Sequence, residues 1–107
     1  MFIVENGLGS ADILQNETVN DEYRISYYRE HVKAIYDAID IDGVDVMGYT
    51  PWSFLDIVSA STGERRKRYG FVYVDYDDEG IGTGNRYLKS SYYWYKKLIA
   101  SNGEDLD

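Results

Sequence analysis

Two stretches of the chain repeat one pattern, in which a short apolar run precedes an amphipathic helical stretch. The apolar runs are residues 2–4 and 44–49. In both helical stretches apolar residues are spaced 4, 3 and 4 apart, which places them on one helix face. These positions are Tyr28, Val32, Ile35 and Ile39 in the first stretch and Leu88, Tyr92, Tyr95 and Ile99 in the second. Strands followed by crossover helices favour a parallel sheet, so the repeat predicts an α/β fold.

The first helix is predicted at about residues 22–40. Asn20 or Asp21 is its candidate N-cap, because either side chain can accept a hydrogen bond from the free N–H groups of the first turn. Gly43 follows the helix and predicts its end, since glycine readily adopts the left-handed conformation that terminates helices.

The second unit carries an insertion between its strand and its helix. We expect a short helical turn at 53–58, a basic loop at 59–68 and a strand at 69–76, where aromatic and β-branched residues alternate. The second helix is predicted at about 86–100. Two parallel strands cannot cover both faces of a stable sheet, so we interpret the chain as part of a larger α/β body.

Composition excludes several classes of protein. The 107 residues allow one domain at most, and 19 acidic against 11 basic residues argue against a general nucleic-acid binder. The chain has no cysteine and His31 is its single histidine, so neither a metal site nor a cofactor is expected. No apolar run approaches the ~20 residues of a membrane span. The 12 tyrosines suit either a binding surface or ordinary helix–sheet packing.

Five motifs follow one another along the chain. They are residues 2–7 (FIVENG), 42–49 (DGVDVMGY), Trp52 with Asp56, 67–71 (KRYGF) and 91–96 (SYYWYK). In order and spacing they resemble the C-terminal part of glycoside hydrolase family 1, the retaining β-glycosidases built on a (β/α)8 barrel. The resemblance covers essentially the whole chain. It implies that residues 1–107 are a single C-terminal segment, the seventh and eighth βα units of an incomplete TIM barrel.

Glu5 directly follows the first apolar run, and α/β barrels keep catalytic groups at the carboxyl ends of their strands. A loop-capping carboxylate is the alternative reading. In the family that the chain resembles, the Glu of the Glu-Asn-Gly motif is the nucleophile, which implies that role for Glu5. The family's acid/base Glu belongs to an Asn-Glu-Pro motif. This motif is absent, because the one proline, Pro51, follows Thr50. We therefore expect the isolated chain to be inactive.

Trp52 stands at the end of the second apolar run. The resemblance implies that it is a platform for the glycone, since an aromatic face packs against the C–H face of a pyranose. The alternative is an ordinary core aromatic.

The loop at 59–68 contains four of the 11 basic residues, at positions 65–68. Family members that act on phosphorylated disaccharides hold the 6-phosphate with a Ser, a Lys and a Tyr of this loop. The resemblance places these roles on Ser61, Lys67 and Tyr69, with Ser59 as an additional candidate. An ammonium and hydroxyls suit a phosphate dianion. The gathered positive charge is predicted to lie where the phosphate binds.

The stretch at 57–60 departs from the Asn-Phe-Glu-Trp of family members that bind unphosphorylated sugars. Ser59 stands in place of the Glu, which removes a negative charge that would repel phosphate. Ala60 stands where phospho-galactosidases have Trp. Both departures favour a 6-phospho-β-glucosidase.

The resemblance thus implies a parent enzyme that hydrolyses 6-phospho-β-glucosides of the cellobiose 6-phosphate type in the cytoplasm by retaining double displacement. No nucleic-acid or membrane partner is expected. Two βα units leave apolar faces uncovered, so we expect a homo-oligomer or a missing N-terminal barrel portion. The alternatives are a non-catalytic, self-associating fragment and a sugar-phosphate-binding module.

Overall fold

The structure is a computed structural model that describes residues 1–107. Its elements, in chain order, are β1 (Phe2–Ile3), α1 (Glu22–Asp40), β2 (Gly48–Tyr49), β3 (Val72–Val74), β4 (Arg86–Leu88) and α2 (Ser90–Ala100). Neither helix combines the length and the apolar character that crossing a membrane requires.

Strands β1 and β2 pair in parallel, as the repeat predicts, with Ile3 opposite Tyr49. Backbone hydrogen bonds continue the pairing past both strands. Thr50 N donates to Ile3 O at 2.8 Å, and Trp52 N donates to Asn6 O at 2.7 Å. The carboxyl ends of the two strands therefore lie side by side, which is where a barrel enzyme places its site.

Strands β3 and β4 form an antiparallel hairpin in which Tyr73 lies opposite Tyr87. The prediction of helix from residue 86 is therefore wrong for 86–88, because their backbone groups pair with β3. The predicted strand at 69–76 is shorter than expected, since only Val72–Val74 is strand. The predicted helical turn at 53–58 is also wrong. These residues contain no helix, and Leu55 forms a parallel bridge with Val72.

The predicted boundaries of α1 are confirmed, and Gly43 adopts a left-handed φ of 68° just beyond it. Asp21 occupies the N-cap position, but its side chain makes no cap hydrogen bond. Its carboxylate instead accepts hydrogen bonds from the backbone N and the hydroxyl of Ser91, at 2.8 and 2.5 Å. Asp21 thus ties the start of α1 to the start of α2.

The apolar core lies between the two helices and the segment that precedes β3. Its buried members are Ile25, Tyr28, Val32, Phe71, Trp94 and Leu98. The predicted face of α1 is buried at Tyr28 and Val32. On α2 the buried positions are Ser91, Trp94 and Leu98, not the predicted set. Leu88 belongs to β4, and Ile99 is 64% exposed.

Candidate active site

Glu5 lies in the short segment that continues β1 and runs beside the segment after β2. Its neighbours Ile3 and Asn6 both accept backbone hydrogen bonds from that segment, so the backbone is held on either side of Glu5. The Glu5 side chain itself is exposed. The geometry leaves the carboxylate open at the carboxyl end of the parallel pair.

Both polar atoms of the Asn6 side-chain amide form hydrogen bonds. Its Nδ2 donates to the hydroxyl of Tyr27 at 3.0 Å, and its Oδ1 accepts from the hydroxyl of Tyr49 at 2.6 Å. Burial raises the pKa of Tyr49, so this hydroxyl remains a neutral donor. The residue next to Glu5 is thereby fastened to α1 and β2 together.

Trp52 is half-buried and does not belong to the apolar core. Gly7 packs closely against its backbone, since a Cβ on Gly7 would lie 2.1 Å from Trp52 O. The hydroxyl of Tyr28 lies 3.4 Å from Asn6 O and 3.5 Å from Trp52 O. Glu5 and Trp52 therefore sit on adjacent segments with little room between their backbones.

The loop that precedes β3 also returns to this end of the molecule. Ser10 and Arg68 exchange backbone hydrogen bonds of 2.9 and 2.8 Å. A Cβ on Gly9 would lie 2.6 Å from Cζ of Tyr69 and 2.9 Å from Cε of Lys67. The ammonium of Lys67 lies 5.6 Å from the centroid of the Tyr69 ring. Lys67 and Tyr69 thus pack against a glycine four positions after Glu5.

Ser59 and Ser61 lie together at the other end of the loop. Their hydroxyl oxygens are 3.2 Å apart, and Ser59 is buried whereas Ser61 is exposed. Ser59 N donates to Glu64 O at 2.9 Å, which closes the turn between them. No hydrogen bond joins either serine to Lys67 or Tyr69. The structure therefore pairs the two serines with each other and the lysine with the tyrosine.

The four basic residues at 65–68 do not share one environment, because only Arg68 is buried and Arg66 is exposed. Arg68 is buried and forms an ion pair of 3.1 Å with Asp56. Arg66 forms ion pairs with Glu64 and Asp78. The Arg65 guanidinium lies 5.4 Å from the centroid of the Tyr76 ring. Lys67 forms no ion pair, and its one cation–π contact is with Tyr69, two positions along the chain.

A buried network of six charged side chains, which sequence reasoning missed, lies directly beneath the loop. Three acids and three bases form it, and the members are Asp12, Asp21, Arg24, Asp56, Arg68 and Lys89. One signal was present, because Arg24 precedes Tyr28 and Val32 at helical spacing and so belongs to the buried face of α1. Nothing local marked Asp12 or Lys89.

Asp12 is the acid with the most partners in this network. Arg24 donates a hydrogen bond of 3.1 Å to its Oδ1 and forms an ion-pair contact of 3.0 Å with its Oδ2, and the Lys89 ammonium lies 2.6 Å away. The Tyr23 hydroxyl also donates to it. Burial alone would raise the pKa of Asp12, but the charges of Lys89 and Arg24 outweigh burial and lower it. The carboxylate is therefore ionised and fully partnered.

Comparison with known proteins assigns the chain to a family. The sequence profile of the family described as "Glycosyl hydrolase family 1" matches residues 1–104. The chain belongs to glycosyl hydrolase family 1. It is 60% identical to the 6-phospho-beta-glucosidase AscB of Escherichia coli K12 over 100% of its own length and 23% of that protein's. It is 48% identical to a 6-phospho-beta-galactosidase of Leptotrichia buccalis, covering 92% of this chain and 20% of that protein.

Solved structures of family 1 share the fold. A beta-glucosidase from Exiguobacterium marinum matches with a TM-score of 0.82 at 38% identity, over 94% of this chain and 22% of that one. The family 1 enzyme from Thermotoga maritima matches with a TM-score of 0.82 at 35% identity, over 97% and 22%. The chain spans less than a quarter of these relatives and is a portion of their (β/α)8 fold.

Proposed function

We propose that residues 1–107 are the seventh and eighth βα units of a (β/α)8 barrel, and that the whole protein hydrolyses 6-phospho-β-glucosides with retention of configuration. The observation that carries this proposal is the packing of Lys67 and Tyr69 onto Gly9, four positions after Glu5. A phosphate bound by Lys67 and Tyr69 and the carboxylate of Glu5 can then contact the same sugar. The names of the curated relatives support the substrate class.

In this proposal Glu5 attacks the anomeric carbon and forms a covalent glycosyl-enzyme, which water then hydrolyses. The second carboxyl group of a retaining enzyme stands about 5–5.5 Å from the nucleophile and protonates the leaving oxygen. It comes from a part of the barrel outside residues 1–107. Trp52 lies beside Glu5 on the neighbouring segment, which suits a platform beneath the glycone.

In this proposal Lys67 and Tyr69 bind the phosphate, with Ser61 and Ser59 as further hydrogen-bond donors. Lys67 forms no ion pair, so its ammonium is available to an anion. An ammonium and a phenol hydroxyl supply the charge-assisted hydrogen bonds that a phosphate needs. Ser59, where relatives that bind plain sugars carry a carboxylate, adds no negative charge against it.

Substitution of Glu5 by Gln in the full-length protein tests the nucleophile. Turnover of a chromogenic 6-phospho-β-glucoside should fall by several orders of magnitude, because an amide cannot form the glycosyl-enzyme. Glu104→Gln, at an exposed position far along the chain, is the matched control and should keep wild-type turnover. Turnover retained in Glu5→Gln removes Glu5 from the mechanism.

Substitution of Lys67 by Ala tests the phosphate assignment. The KM for the 6-phospho-β-glucoside should rise by about tenfold or more, whereas the KM for its unphosphorylated counterpart should stay unchanged. Lys33→Ala removes an exposed lysine of α1 and should change neither value. An equal rise in KM for both substrates contradicts the assignment.

A second candidate is a self-associating segment without catalysis of its own, which two open apolar grooves favour. One groove of about 490 Å³ lies between the helices, and its lining includes Val32, Tyr36, Val46 and Leu98. The other, of about 400 Å³, lies between α2 and the segment after β2. Size-exclusion chromatography of the 107-residue chain checks this candidate, and a compact monomer contradicts it. Binding of glucose 6-phosphate by the same chain would identify a sugar-phosphate-binding module instead.

A further inference from the structure

The segment 65–69, which carries Lys67 and Tyr69, is held from its exposed side by the turn between β3 and β4. Oδ1 of Asp78 accepts hydrogen bonds from the backbone N of Arg65 at 2.7 Å and of Arg66 at 2.8 Å. The turn is itself ordered, because Oδ1 of Asp77 accepts two backbone N–H groups of the same turn at 2.9 Å. One carboxylate thus fixes the start of the segment.

The same segment is held from its buried side by Arg68. Its guanidinium donates to Oδ2 of Asp56 at 3.1 Å and to the carbonyls of Val74 and Tyr76 at 2.7 and 2.8 Å. It also lies 3.9 Å over the ring of Tyr73. These contacts use both terminal nitrogens of the planar guanidinium, and the single ammonium of a lysine cannot reproduce them.

The backbone of Arg68 is hydrogen-bonded as well as its side chain. Its carbonyl accepts from Ser10 N at 2.9 Å and from a guanidinium nitrogen of Arg24 at 2.8 Å. The bridge to Ser10 is antiparallel, so the backbone is extended here. Successive side chains of an extended segment point to opposite sides. With Arg68 turned into the network, Lys67 and Tyr69 turn the other way, onto Gly9.

We propose that Arg68 and Asp78 are positioning residues, which from opposite sides set the backbone of residues 65–69 and thereby the preference for a phosphorylated sugar. Neither side chain touches the phosphate. Arg68 is enclosed by protein, and Asp78 carries the same sign of charge as the ligand. The inference rests on the proposed function, because it assigns the phosphate to Lys67 and Tyr69.

The test uses the full-length protein with the variants Arg68→Lys and Asp78→Ala. Each should raise the KM for a 6-phospho-β-glucoside by about tenfold, since each loses hydrogen bonds that order the segment. In both variants kcat and the KM for the unphosphorylated glucoside should remain at the wild-type values. Arg66→Lys makes the same exchange at an arginine that is mostly exposed, and should change nothing.

Asp78→Asn separates positioning from a general loss of structure. Its amide oxygen can still accept the two backbone hydrogen bonds, so this variant should restore the wild-type KM that Asp78→Ala loses. Asp78 lies on an exposed turn, away from the core, so the Asp78 pair decides the question even where Arg68→Lys does not fold.

The possible outcomes distinguish this inference from the proposed function. If Lys67→Ala selectively weakens phosphorylated substrate while the Asp78 and Arg68 variants do not, the inference is overturned and the function stands. If Lys67→Ala has no selective effect, the proposed phosphate site itself fails. An equal loss for both substrates in Asp78→Ala, with no rescue by Asn, also overturns the inference, because it shows a merely structural role.

Discussion

The ammonium of Lys89 lies 2.6 Å from a carboxylate oxygen of Asp12, although 77 residues separate the two in the chain. Neither side chain is exposed to solvent. Loss of one partner from such a pair leaves the other charge desolvated and without compensation. The pair therefore joins the two ends of the sequence by a contact that the fold cannot lose without a large penalty.

Lys89→Met should lower the free energy of unfolding by about 3–5 kcal/mol, because Asp12 and Asp56 both lose a buried counter-charge. The matched control is Lys97→Met. Lys97 forms a partly exposed pair of 3.8 Å with Asp105, and its loss should change the free energy by about 0.5 kcal/mol or less. Urea unfolding measures both, and equal losses would contradict the role of the network.

Asp21→Ser should destabilise the protein, although serine and aspartate are equally good N-caps. Here the carboxylate does not cap the helix but accepts from Ser91 and pairs with Arg24 at 2.6 Å. The free energy of unfolding should fall by about 3 kcal/mol or more, because the buried guanidinium of Arg24 loses one of its counter-charges. A thermal midpoint equal to that of the wild type would refute this assignment.

Gly7→Ala should destabilise more than Gly9→Ala. The new Cβ at position 7 would meet the backbone carbonyl of Trp52 at 2.1 Å, which cannot move without shifting the segment after β2. At position 9 it would meet the side chains of Lys67 and Tyr69, which can rotate away. Gly9→Ala should therefore act mainly on the KM for phosphorylated substrate, and Gly7→Ala mainly on the unfolding midpoint. The reverse order would contradict this packing.

Acidification should destabilise the protein through Asp12. Its pKa is lower in the folded state than the 3.8 of a free carboxyl group, so the unfolded chain binds the proton more readily. The stabilisation is complete above about pH 5 and is lost as the pH falls through the folded pKa. Asp75 and Asp78 act in the same direction, because hydrogen bonds from Thr83 and from the backbone of Arg66 lower their pKa values.

Comparison with Asp12→Asn isolates the contribution of this one residue. The variant should unfold at lower urea concentration at neutral pH, and its stability should fall less steeply below pH 4. Identical slopes for the two proteins would show that Asp12 does not contribute to the acid transition.

Tyr23→Phe should remove one tyrosine that ionises at higher pH than a free tyrosine. Partial burial and the hydrogen bond to Asp12 raise the pKa of Tyr23 to about 12. The difference in tyrosinate absorbance between the two proteins should therefore have its midpoint near pH 12. Because the folded pKa is the higher one, the stability linked to Tyr23 should decline as the pH rises above about 10. A difference centred at pH 10 would contradict the hydrogen bond.

Local pattern predicted the bounds of α1 well, because its apolar spacing is local and Gly43 follows its end in the left-handed conformation, although Asp21 does not cap its start. The second helix shows the limit of such reasoning. Leu88 continues the apolar spacing of α2 but lies in β4, since the backbone of residues 86–88 finds partners in β3. The pattern thus crossed an element boundary that only a long-range pairing sets.

In the candidate site, too, some features could be predicted from local sequence and others could not. The position of Glu5 at a strand end follows from the sequence, and the parallel register places Trp52 beside it. The run at 65–68 predicted a cationic patch, but the counter-charge of Arg68 is Asp56, 12 residues away. Lys89 and Asp12 are still farther apart. Such partners are chosen by tertiary packing, which composition and local spacing do not contain.

The six buried charges balance one another, with three acids and three bases that are all drawn from residues 12–89. Exchange of this segment between members of the family would therefore carry every counter-ion along with its charge. Chimaeras joined outside residues 12–89 should keep the network whole. Those joined within it, for example between Asp56 and Arg68, should separate charges from their partners unless both parents carry the same pairs.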